Sequence, residues 1–180
     1  MDDLSVRSAE AGDVADVRRI ARESWHAAYD DIVGPESVGS VVDEWYDLNH
    51  LRRSVERDDG VFLVAEIGGG SEDADATDDA DDPEVVGFAQ GVLGGADDSA
   101  ELPRIYVHPD HWGEGAGSAM LERVEDELAD RGAERLRLVV LADNEIGNAF
   151  YERHGYPTVG SRESEFEGET YADYVREKEL

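Results

Sequence analysis

The sequence predicts a mixed α/β fold, in which helices cover both faces of a central mixed, mostly antiparallel sheet. Three observations predict it. Apolar residues of helical period fill the first third of the chain, two apolar runs follow as an antiparallel hairpin, and two strand-helix units precede a last hairpin. Because 180 residues are an ordinary length for one core, we expect a single domain over residues 1–180.

The N-terminal third is predicted to be helical. An apolar stripe of period 3.6 follows Asp13, a candidate N-cap, and predicts a helix over residues 14–28. A Gly-Pro pair predicts a turn over residues 30–39. A second, less regular helix is expected over residues 41–55.

Two strands are expected at residues 61–67 and 85–93, paired as an antiparallel hairpin. The segment between them, residues 68–84, holds eight acidic residues, three consecutive glycines and no basic residue. Such a segment cannot bury enough apolar surface to order itself, so we expect a flexible acidic loop. An interaction tail is the functional alternative for this segment.

The second half of the chain alternates strands and helices. The expected elements are, in order, a strand at 102–107, a glycine-rich loop at 113–117, a helix ended by Gly132, a strand at 136–141, a helix at 144–154 ended by Gly155, and a hairpin of strands at 158–166 and 170–179. The strand at 136–141 is apolar almost throughout, which predicts that both of its faces are covered.

Acidic residues dominate the composition: 45 stand against 16 basic residues, for a net charge of -29. Such a chain repels itself at low ionic strength, whereas about 1 M salt shortens the Debye length to about 3 Å. We therefore expect a halophile's protein, and neither nucleic acid nor an anionic membrane as its partner. Intrinsic disorder, which high charge also favours, is inconsistent with the regular apolar periodicity.

The remaining composition excludes several classes of protein and site. Cysteine is absent from the sequence, which excludes disulfides, thiolate metal sites and a cysteine nucleophile. No apolar stretch approaches the roughly 18 residues of a membrane helix, and no secretory signal is visible at the start. The sequence thus predicts a soluble cytoplasmic protein. A homodimer through the last hairpin is compatible with the sequence, although nothing in it requires one.

A strand, a glycine-rich loop and a helix follow one another over residues 106–121. Gly113, Gly115 and Gly117 alternate there, and with the free N–H groups of the first helical turn they predict a seat for a pyrophosphate. A dinucleotide-binding fingerprint would need glycine at Ser118, and a kinase-type phosphate loop would need a following Gly-Lys-Ser/Thr. Taken alone, the motif is equally compatible with a glycine-rich connection that binds nothing.

A second motif, Asn-Glu-Ile-Gly-Asn-Ala-Phe-Tyr-Glu-Arg-His-Gly-Tyr, occupies residues 144–156. Together the two motifs resemble the signature of the GNAT superfamily of acetyl-coenzyme A-dependent N-acetyltransferases. The family's pyrophosphate loop falls on residues 112–117, and its Asn-x-x-Ala-x-x-x-Tyr-x-x-x-Gly-Phe pattern falls on residues 144–156. The resemblance implies a GNAT-like sheet, acetyl-coenzyme A as cosubstrate and an amine as acceptor.

The resemblance also implies which residues bind the cofactor. They are Tyr106, Val107, Trp112, Gly113, Glu114, Gly115, Ala116, Gly117, Ser118, Asn144 and Tyr151. Three positions depart from the family, since Trp112 replaces the usual Arg or Gln, Glu114 stands where a basic residue is common, and Gly147 replaces Ala. Losing a cation and gaining a carboxylate should weaken pyrophosphate binding at low salt, so we expect backbone N–H groups to carry most of the recognition.

Acetyl transfer to an amine requires a base, because a lysine-type amine is only about one part in 2,500 neutral at pH 7. By the resemblance Glu101 is the candidate base, although one more surface acid is an equal reading in this composition. Tyr151 matches the family tyrosine that protonates the departing thiolate, with aromatic packing as the alternative. The acetyl oxygen is expected near the N–H of Tyr106 or Val107, where the family strand bulges and splays.

Other candidates stand beside these. Asn144 resembles the residue that binds the pantetheine arm and also suits a helix N-cap. Trp25 and Tyr29 are the substrate candidates, since similar enzymes wall the acceptor site with their first two helices, but aromatic residues at helical spacing are more often core. His108 and His111 lack a third ligand, so no metal is expected.

Two rival functions stay open at the level of the sequence. A non-catalytic acyl-coenzyme A sensor or regulatory protein would keep the cofactor seat and transfer nothing. A dinucleotide-dependent oxidoreductase would bind a nicotinamide cofactor instead. Assays with amine acceptors separate both from a transferase.

Overall fold

Seven strands form one sheet in the computed structural model, which describes residues 3–68, 82–94, 98–166 and 168–180. The strands are β1 (Leu4–Ser8), β2 (Gly60–Ile67), β3 (Glu84–Leu93), β4 (Ser99–Val107), β5 (Arg135–Leu141), β6 (Thr158–Phe166) and β7 (Glu169–Glu179). The helices are α1 (Val14–Val33), α2 (Pro35–Trp45), α3 (Leu48–Val55), α4 (Ala116–Asp130) and α5 (Glu145–Arg153). Short 3-10 turns at Ala11–Asp13 and Pro109–His111 complete the described elements.

The sheet is mixed and mostly antiparallel, as predicted. Its strand order is β1-β2-β3-β4-β5-β7-β6, and every neighbouring pair is antiparallel except β4 and β5. The parallel ladder between β4 and β5 joins only residues 99–101 to residues 135–137. Because the two strands pair no further, a gap opens in the middle of the sheet.

Helices cover both faces of the sheet. On one face α4 buries Met120, Leu121, Val124 and Leu128 in a core with the strands, and Phe150 of α5 packs beside it. On the other face α1, α2 and α3 form a second core. Its large, completely buried side chains include Val17, Ile20, Val38, Leu51 and Phe88. Each such side chain contributes roughly 1.5–3 kcal/mol of burial free energy, so the two cores hold the sheet from both sides.

The first helix is longer than the sequence predicts. α1 continues through residues 30–33, so the turn expected over residues 30–39 is wrong. The chain breaks only at Gly34, whose φ is 92°, and Pro35 opens α2. Proline is well accommodated in the first turn of a helix, because the N–H that it lacks would have no partner there.

The helix expected over residues 41–55 is two helices, α2 and α3. Asp47 separates them, since its carboxylate accepts hydrogen bonds from the N–H groups of Asn49 (3.1 Å) and His50 (3.2 Å). This side-chain cap satisfies two donors at the start of a new helix. The apolar pattern of residues 41–55 therefore continues through the break between α2 and α3 and gives no sign of it.

Strand β1 is not among the elements predicted from the sequence. Leu4 and Val6 alternate with polar residues and pack against the core beneath α4, but the strand has only five residues, too few for a distinct periodic signal. It pairs with β2 at the edge of the sheet. Arg7 on this strand donates to both carboxylate oxygens of Asp13 (2.8 and 2.9 Å), which lowers the pKa of Asp13. Asp13 thus precedes α1 as expected, but its carboxylate binds Arg7 and the N–H of Glu10 instead of capping α1.

Strand β5 is not covered on both faces, contrary to the prediction. Leu136 and Leu138 are buried, whereas Arg137 and Val139 alternate with them and are exposed. Arg137 is still paired with Glu101 of β4, so the divergence of the two strands does not explain its exposure. This face of β5 is open because Arg137 and Val139 line a cleft beside α1 and α2 instead of packing in a core.

Most of the acidic loop expected over residues 68–84 lies outside the described residues, which include only Gly68 and residues 82–84 of it. Across the described ranges, no helix has the length and apolar character needed to span a membrane.

Candidate active site

Strand β4 carries a bulge where it begins to leave β5. Along the ladder with β3, Arg104 lies opposite Gln90 and Glu101 lies opposite Val92, so three residue steps on β4 match two on β3. Pro103 falls within this step, and a residue without an N–H suits a position that makes no ladder bond. The bulge therefore lies within residues 101–104, ahead of Tyr106 and Val107, the positions at which the family resemblance places it.

Two clefts open at the gap, one beside α4 and one beside α1 and α2. The α4 cleft, of about 560 Å³, lies between residues 112–118, α5 and the diverging ends of β4 and β5, and residues 24, 28 and 29 of α1 also line it. The α1 cleft, of about 730 Å³, lies between α1, α2, β4, β5 and the last hairpin. Both are lined by Tyr29, Leu102, Pro103, Tyr106, Val139 and Val140, so they meet at the gap.

The glycine-rich loop has the geometry of an anion seat at the α4 cleft. Gly113 (φ 82°) and Gly115 (φ 95°) have left-handed conformations that are costly for residues with a Cβ, and α4 begins at Ala116. The N–H groups of residues 116–118 lack intrahelical partners and carry the positive end of the helix dipole. The first turn of α4 contains no acidic residue, so no carboxylate of that turn competes for these donors.

The third glycine of the motif serves packing. A Cβ built on Gly117 would lie 3.2 Å from Cε2 of Phe150. Gly117 therefore allows α4 and α5 to approach each other beside the seat, and its φ is not in the left-handed region.

Glu114 is the one residue of the stretch 112–118 that does not line the α4 cleft. Its carboxylate lies 2.8 Å from Nδ1 of His111. The repulsion expected between this carboxylate and a pyrophosphate is reduced, because the carboxylate pairs with the imidazole instead of facing the seat. The structure thus gives no support to Glu114 as a cofactor-binding side chain.

Trp112 and Ser118 both line the α4 cleft. The indole Nε1 of Trp112 donates to the carbonyl oxygen of Val107 (2.8 Å), and the side chain is 40% exposed. The hydroxyl of Ser118 lies 3.0 Å from Nε2 of His154. Trp112 thus presents apolar surface where the family usually has Arg or Gln, and the exposed Ile146 (64%) lines the same cleft.

The backbone N–H of Val107 on β4 points into the gap. The N–H of His108 donates to the carbonyl oxygen of Val86 (2.8 Å), and donors alternate in direction along an antiparallel strand. The N–H of Tyr106 therefore points toward β3, whereas that of Val107 points toward the side from which β5 has diverged. Of the two donors expected near the acetyl oxygen, Val107 has the suitable direction.

Tyr151 is half-buried on α5 and lines the α4 cleft. Burial raises the pKa of Tyr151, the neighbouring Tyr29 raises it further, and the positive charge of Arg176 lowers it. The phenol is consequently protonated at neutral pH. Within the described part of the chain its hydroxyl has no hydrogen-bond partner, so it is available to a bound molecule.

Arg176 is a buried cation behind Tyr151 that sequence reasoning missed. Its Nε donates to Oδ1 of Asn148 (3.0 Å) and its Nη1 to the carbonyl oxygen of Tyr156 (2.8 Å). Asn148 in turn donates to the carbonyl oxygens of residues 141, 142 and 144. This network fixes the turn from β5 into α5 and places a positive charge near the phenol. The sequence offers one signal for Arg176: basic residues are scarce, so a basic residue within the last strand is a candidate for a specific role.

Asn144 is the N-cap of α5, as the alternative for this residue predicts. Its Oδ1 accepts from the N–H of Gly147 (3.0 Å), and its Nδ2 donates to the hydroxyl of Tyr29 (3.3 Å). A Cβ on Gly147 would lie only 2.6 Å from Nδ2 of Asn144. The departure from the usual alanine therefore makes room for the amide of Asn144 to lie over the first turn of α5.

Tyrosines from α1, α2 and β4 meet beneath the gap. Tyr29 and Tyr106 each affect the pKa of the other, and Nε1 of Trp25 donates to the hydroxyl of Tyr46 (3.3 Å). Burial raises the pKa of Tyr46 to about 12 and raises those of Tyr29 and Tyr106 as well. Trp25 and Tyr29 are both core residues and cleft residues, because Trp25 lines the α1 cleft and Tyr29 lines both clefts.

Glu101 and Tyr151 do not line the same cleft. Glu101 is exposed and lines the α1 cleft, whereas Tyr151 lines the α4 cleft. The two predicted catalytic residues therefore lie on opposite sides of the gap. This arrangement suits a reaction in which two substrates approach from opposite faces of the sheet.

The paired histidines are held by carboxylates. His108 contacts Glu23 of α1, and His111 contacts Glu114. Their rings lie 6.0 Å apart. Both are accounted for as loop residues, the interpretation that the sequence favours.

Comparisons with known proteins agree with this geometry. The profile of the acetyltransferase (GNAT) family matches residues 15–156. An acetyltransferase of Pectobacterium atrosepticum is 33% identical over 109 residues, which are 61% of this chain and 66% of that protein. A spermidine N(1)-acetyltransferase of Thermoplasma acidophilum is 28% identical over 167 residues, 91% of this chain and 94% of that one.

The fold is also that of solved acetyltransferases. The PaiA N-acetyltransferase of Thermoplasma acidophilum, crystallised with coenzyme A, superposes with a TM-score of 0.78 at 24% identity over 99% of both chains. At that identity the likeness establishes the fold. Since the family profile covers most of the sequence, the chain belongs to the acetyltransferase (GNAT) family of acetyl-coenzyme A-dependent N-acetyltransferases, as its two motifs predict.

Proposed function

We propose that the chain transfers the acetyl group of acetyl-coenzyme A to a primary amine of a small molecule, peptide or protein. The observation that carries the proposal is one cleft that is lined both by residues 116–118, whose N–H groups lack intrahelical partners, and by Tyr151. We further propose that residues 1–180 act as a single domain, adapted to a salty cytoplasm.

The α4 cleft fits the thioester cosubstrate in its chemistry. The glycine-rich seat offers backbone donors to a pyrophosphate. The exposed apolar side chains of Trp112, Val139 and Ile146 line the same cleft and suit a long aliphatic arm. When bound, the cosubstrate supplies an activated acetyl group on sulfur.

Val107 supplies the electrostatic contribution to the transfer. Its N–H points into the gap, where the acetyl carbonyl would lie between the two clefts. A preorganised backbone donor there stabilises the negative charge that develops on the carbonyl oxygen as the amine attacks. The loss of one such donor typically costs about 10²- to 10³-fold in turnover.

Glu101 and Tyr151 move the two protons. Glu101 accepts the proton of the amine from the α1 cleft, directly or through water, as the nitrogen forms its bond to the acetyl carbon. The bond from that carbon to sulfur then breaks, and Tyr151 donates a proton to the departing thiolate from the α4 cleft. Its raised pKa keeps the phenol protonated, and the charge of Arg176 eases the donation.

Release of free thiol from acetyl-coenzyme A tests the proposal, measured with a panel of amines, amino-terminal peptides and aminoglycosides in about 2 M KCl. We expect saturable cofactor binding by calorimetry and thiol release that depends on an amine. Glu101→Gln should retain cofactor binding and lose most of the transfer at neutral pH. The transfer rate should recover as the pH approaches the pKa of the amine, because the amine then loses its proton without a base. Binding without transfer to any amine would favour a sensor, and no binding by folded protein would refute the proposal.

A further inference from the structure

Two charged side chains of the α1 cleft have no ion-pair partner among the described residues. Among its charged residues, Arg137 donates twice to Oε2 of Glu177 (3.0 and 2.8 Å), and Arg162 pairs with Asp173 (3.5 Å). The other two charged residues are Glu101 and Arg104, and neither forms an ion pair with any residue in the described part of the chain. The open charges of this cleft are therefore one carboxylate and one guanidinium.

The bulge in β4 brings these two side chains to the same face of the sheet. Residues three apart on a regular strand point to opposite faces. Here Leu102 belongs to the core beneath α4, and after the bulge Tyr106 belongs to the core beneath α1. Glu101 and Arg104 consequently line one cleft, and their positions along the sheet differ by two residues of β3, roughly 7 Å. One small molecule can reach both.

Arg104 is held in a position that lacks a counter-charge. Its Cζ lies 4.8 Å from the centroid of the buried Tyr46 ring, and its Nη1 is shielded from solvent without a hydrogen-bond partner among the described residues. A desolvated guanidinium nitrogen without an acceptor is costly. An anionic group entering the cleft would offset that cost through a charge-assisted hydrogen bond.

The surroundings strengthen such a bond. Trp25, Tyr29, Tyr46 and Tyr106 line the same cleft and exclude water from its inner end. Three arginines line this cleft although the chain has a net charge of -29. A polycation would meet the guanidinium of Arg104 with a second positive charge of its own.

We infer that the acceptor carries a carboxylate beside its amine, so that Arg104 binds the carboxylate while Glu101 receives the ammonium proton. The inference rests on the proposed function and narrows it to amino-acid-like acceptors. The inferred acceptor differs from spermidine, the molecule for which one relative is named, because spermidine has several amines and no anionic group.

The test compares acceptors that differ only in charge. Amino acids of increasing chain length are assayed against their carboxamides and against spermidine, as kcat/KM corrected for the fraction of neutral amine. We expect the best carboxylate to exceed its own carboxamide by roughly tenfold or more, the weight of one charge-assisted hydrogen bond. Spermidine should be the poorer acceptor.

Two variants locate the effect. Arg104→Gln should abolish the preference for carboxylate while leaving the Kd for acetyl-coenzyme A unchanged, and Arg104→Lys should retain part of the preference, because it keeps the charge without the planar fork. Arg123→Gln is the matched control, since it removes an equal charge from the outer surface of α4, where Arg123 pairs with Glu127. Circular dichroism establishes that each variant is folded.

The outcomes separate this inference from the proposed function. Equal use of carboxylate and carboxamide by the wild-type protein, or a preference for spermidine, would overturn the inference while transfer itself stands. A carboxylate preference that survives Arg104→Gln would overturn the role of Arg104. Cofactor binding without transfer to any amine would overturn both.

Discussion

At the scale of single residues, the proposed proton donor is the phenol of Tyr151. Tyr151 lines the α4 cleft, and no described residue accepts or donates a hydrogen bond at its hydroxyl. Packing alone would not need that hydroxyl, because Phe150 and Tyr156 supply the aromatic contacts around it. The proposed chemical role of Tyr151 can therefore be tested separately from its packing.

Tyr151→Phe should lower kcat about 10²- to 10⁴-fold, the usual contribution of a positioned proton donor. The Kd for acetyl-coenzyme A should stay nearly constant, because the ring that lines the cleft is kept. Steady-state kinetics and calorimetry measure the two quantities. Tyr174→Phe, at an exposed position of β7, is the control. An unchanged kcat would reassign Tyr151 to packing.

Tyr46 predicts a response of stability to alkaline pH. Burial raises its pKa to about 12, whereas an unfolded tyrosine titrates near about 10. Between these values the folded protein keeps a proton that the unfolded chain releases, so the free energy of unfolding falls as pH rises from about 10 to about 12. Tyr46→Phe should flatten this fall, measured by denaturant unfolding at fixed KCl concentration. An identical slope in the variant would contradict the assignment.

The sequence predicts which residues lie at the site, but it does not predict which partners their side chains contact. Gly113, Gly115 and Asn144 occupy the places that the two motifs indicate. The sequence could not show that Glu114 turns to His111, nor that Arg104 lacks a counter-charge, because both depend on neighbours brought together by folding.

At the scale of elements, the seat is made by a loop and the first turn of a helix. Gly115 and Gly132 lie at opposite ends of α4 with nearly equal φ, 95° and 99°, and a Cβ at either would meet no atom within 4 Å. The two glycines therefore have the same backbone conformation and the same open surroundings, but only Gly115 lines the α4 cleft. Gly132 can serve as the control for Gly115.

Alanine at either position should cost about 1–2 kcal/mol of stability, because both enforce a left-handed backbone. Only Gly115→Ala should also weaken acetyl-coenzyme A binding, by roughly tenfold or more if one charge-assisted hydrogen bond is lost. Thermal unfolding and calorimetry of the two variants give the comparison. Equal binding by both would show that the loop does not hold the pyrophosphate.

Strands and helices with regular patterns were predictable, and their junctions were not. Strands β2 to β7, α4 and α5 follow the apolar periods closely. The break at Asp47 was missed because a side-chain cap, not a change of period, ends one helix and begins the next. The open face of β5 was missed because its apolar side chains line a cleft instead of a core.

At the scale of the whole molecule, charge sets the conditions under which the fold persists. With a net charge of -29, self-repulsion opposes compaction at low ionic strength. The free energy of unfolding should rise between 0.1 and about 1 M KCl, as the Debye length falls from about 10 Å to about 3 Å, and then level off. Chemical unfolding in urea at each KCl concentration measures this, since urea adds no ions. Stability that falls with added KCl would contradict a salt-adapted protein.

The division of the site between two faces is also a property of the whole molecule. No single motif reports it, because it arises from a bulge in β4, the short β4–β5 ladder and helices on both sides of the sheet. The motifs predict residues of the α4 cleft, whereas the α1 cleft, the proposed acceptor site, is built from residues distant in sequence, from Trp25 to Val175.

A crystal structure of the protein with coenzyme A tests the central claim most directly. We predict pyrophosphate oxygens within hydrogen-bonding distance, about 2.7–3.2 Å, of backbone N–H groups in residues 113–118. The sulfur should contact the hydroxyl of Tyr151, with the N–H of Val107 facing the site of the acetyl oxygen. A pyrophosphate bound away from the glycine-rich loop, or a sulfur out of reach of Tyr151, would contradict the account.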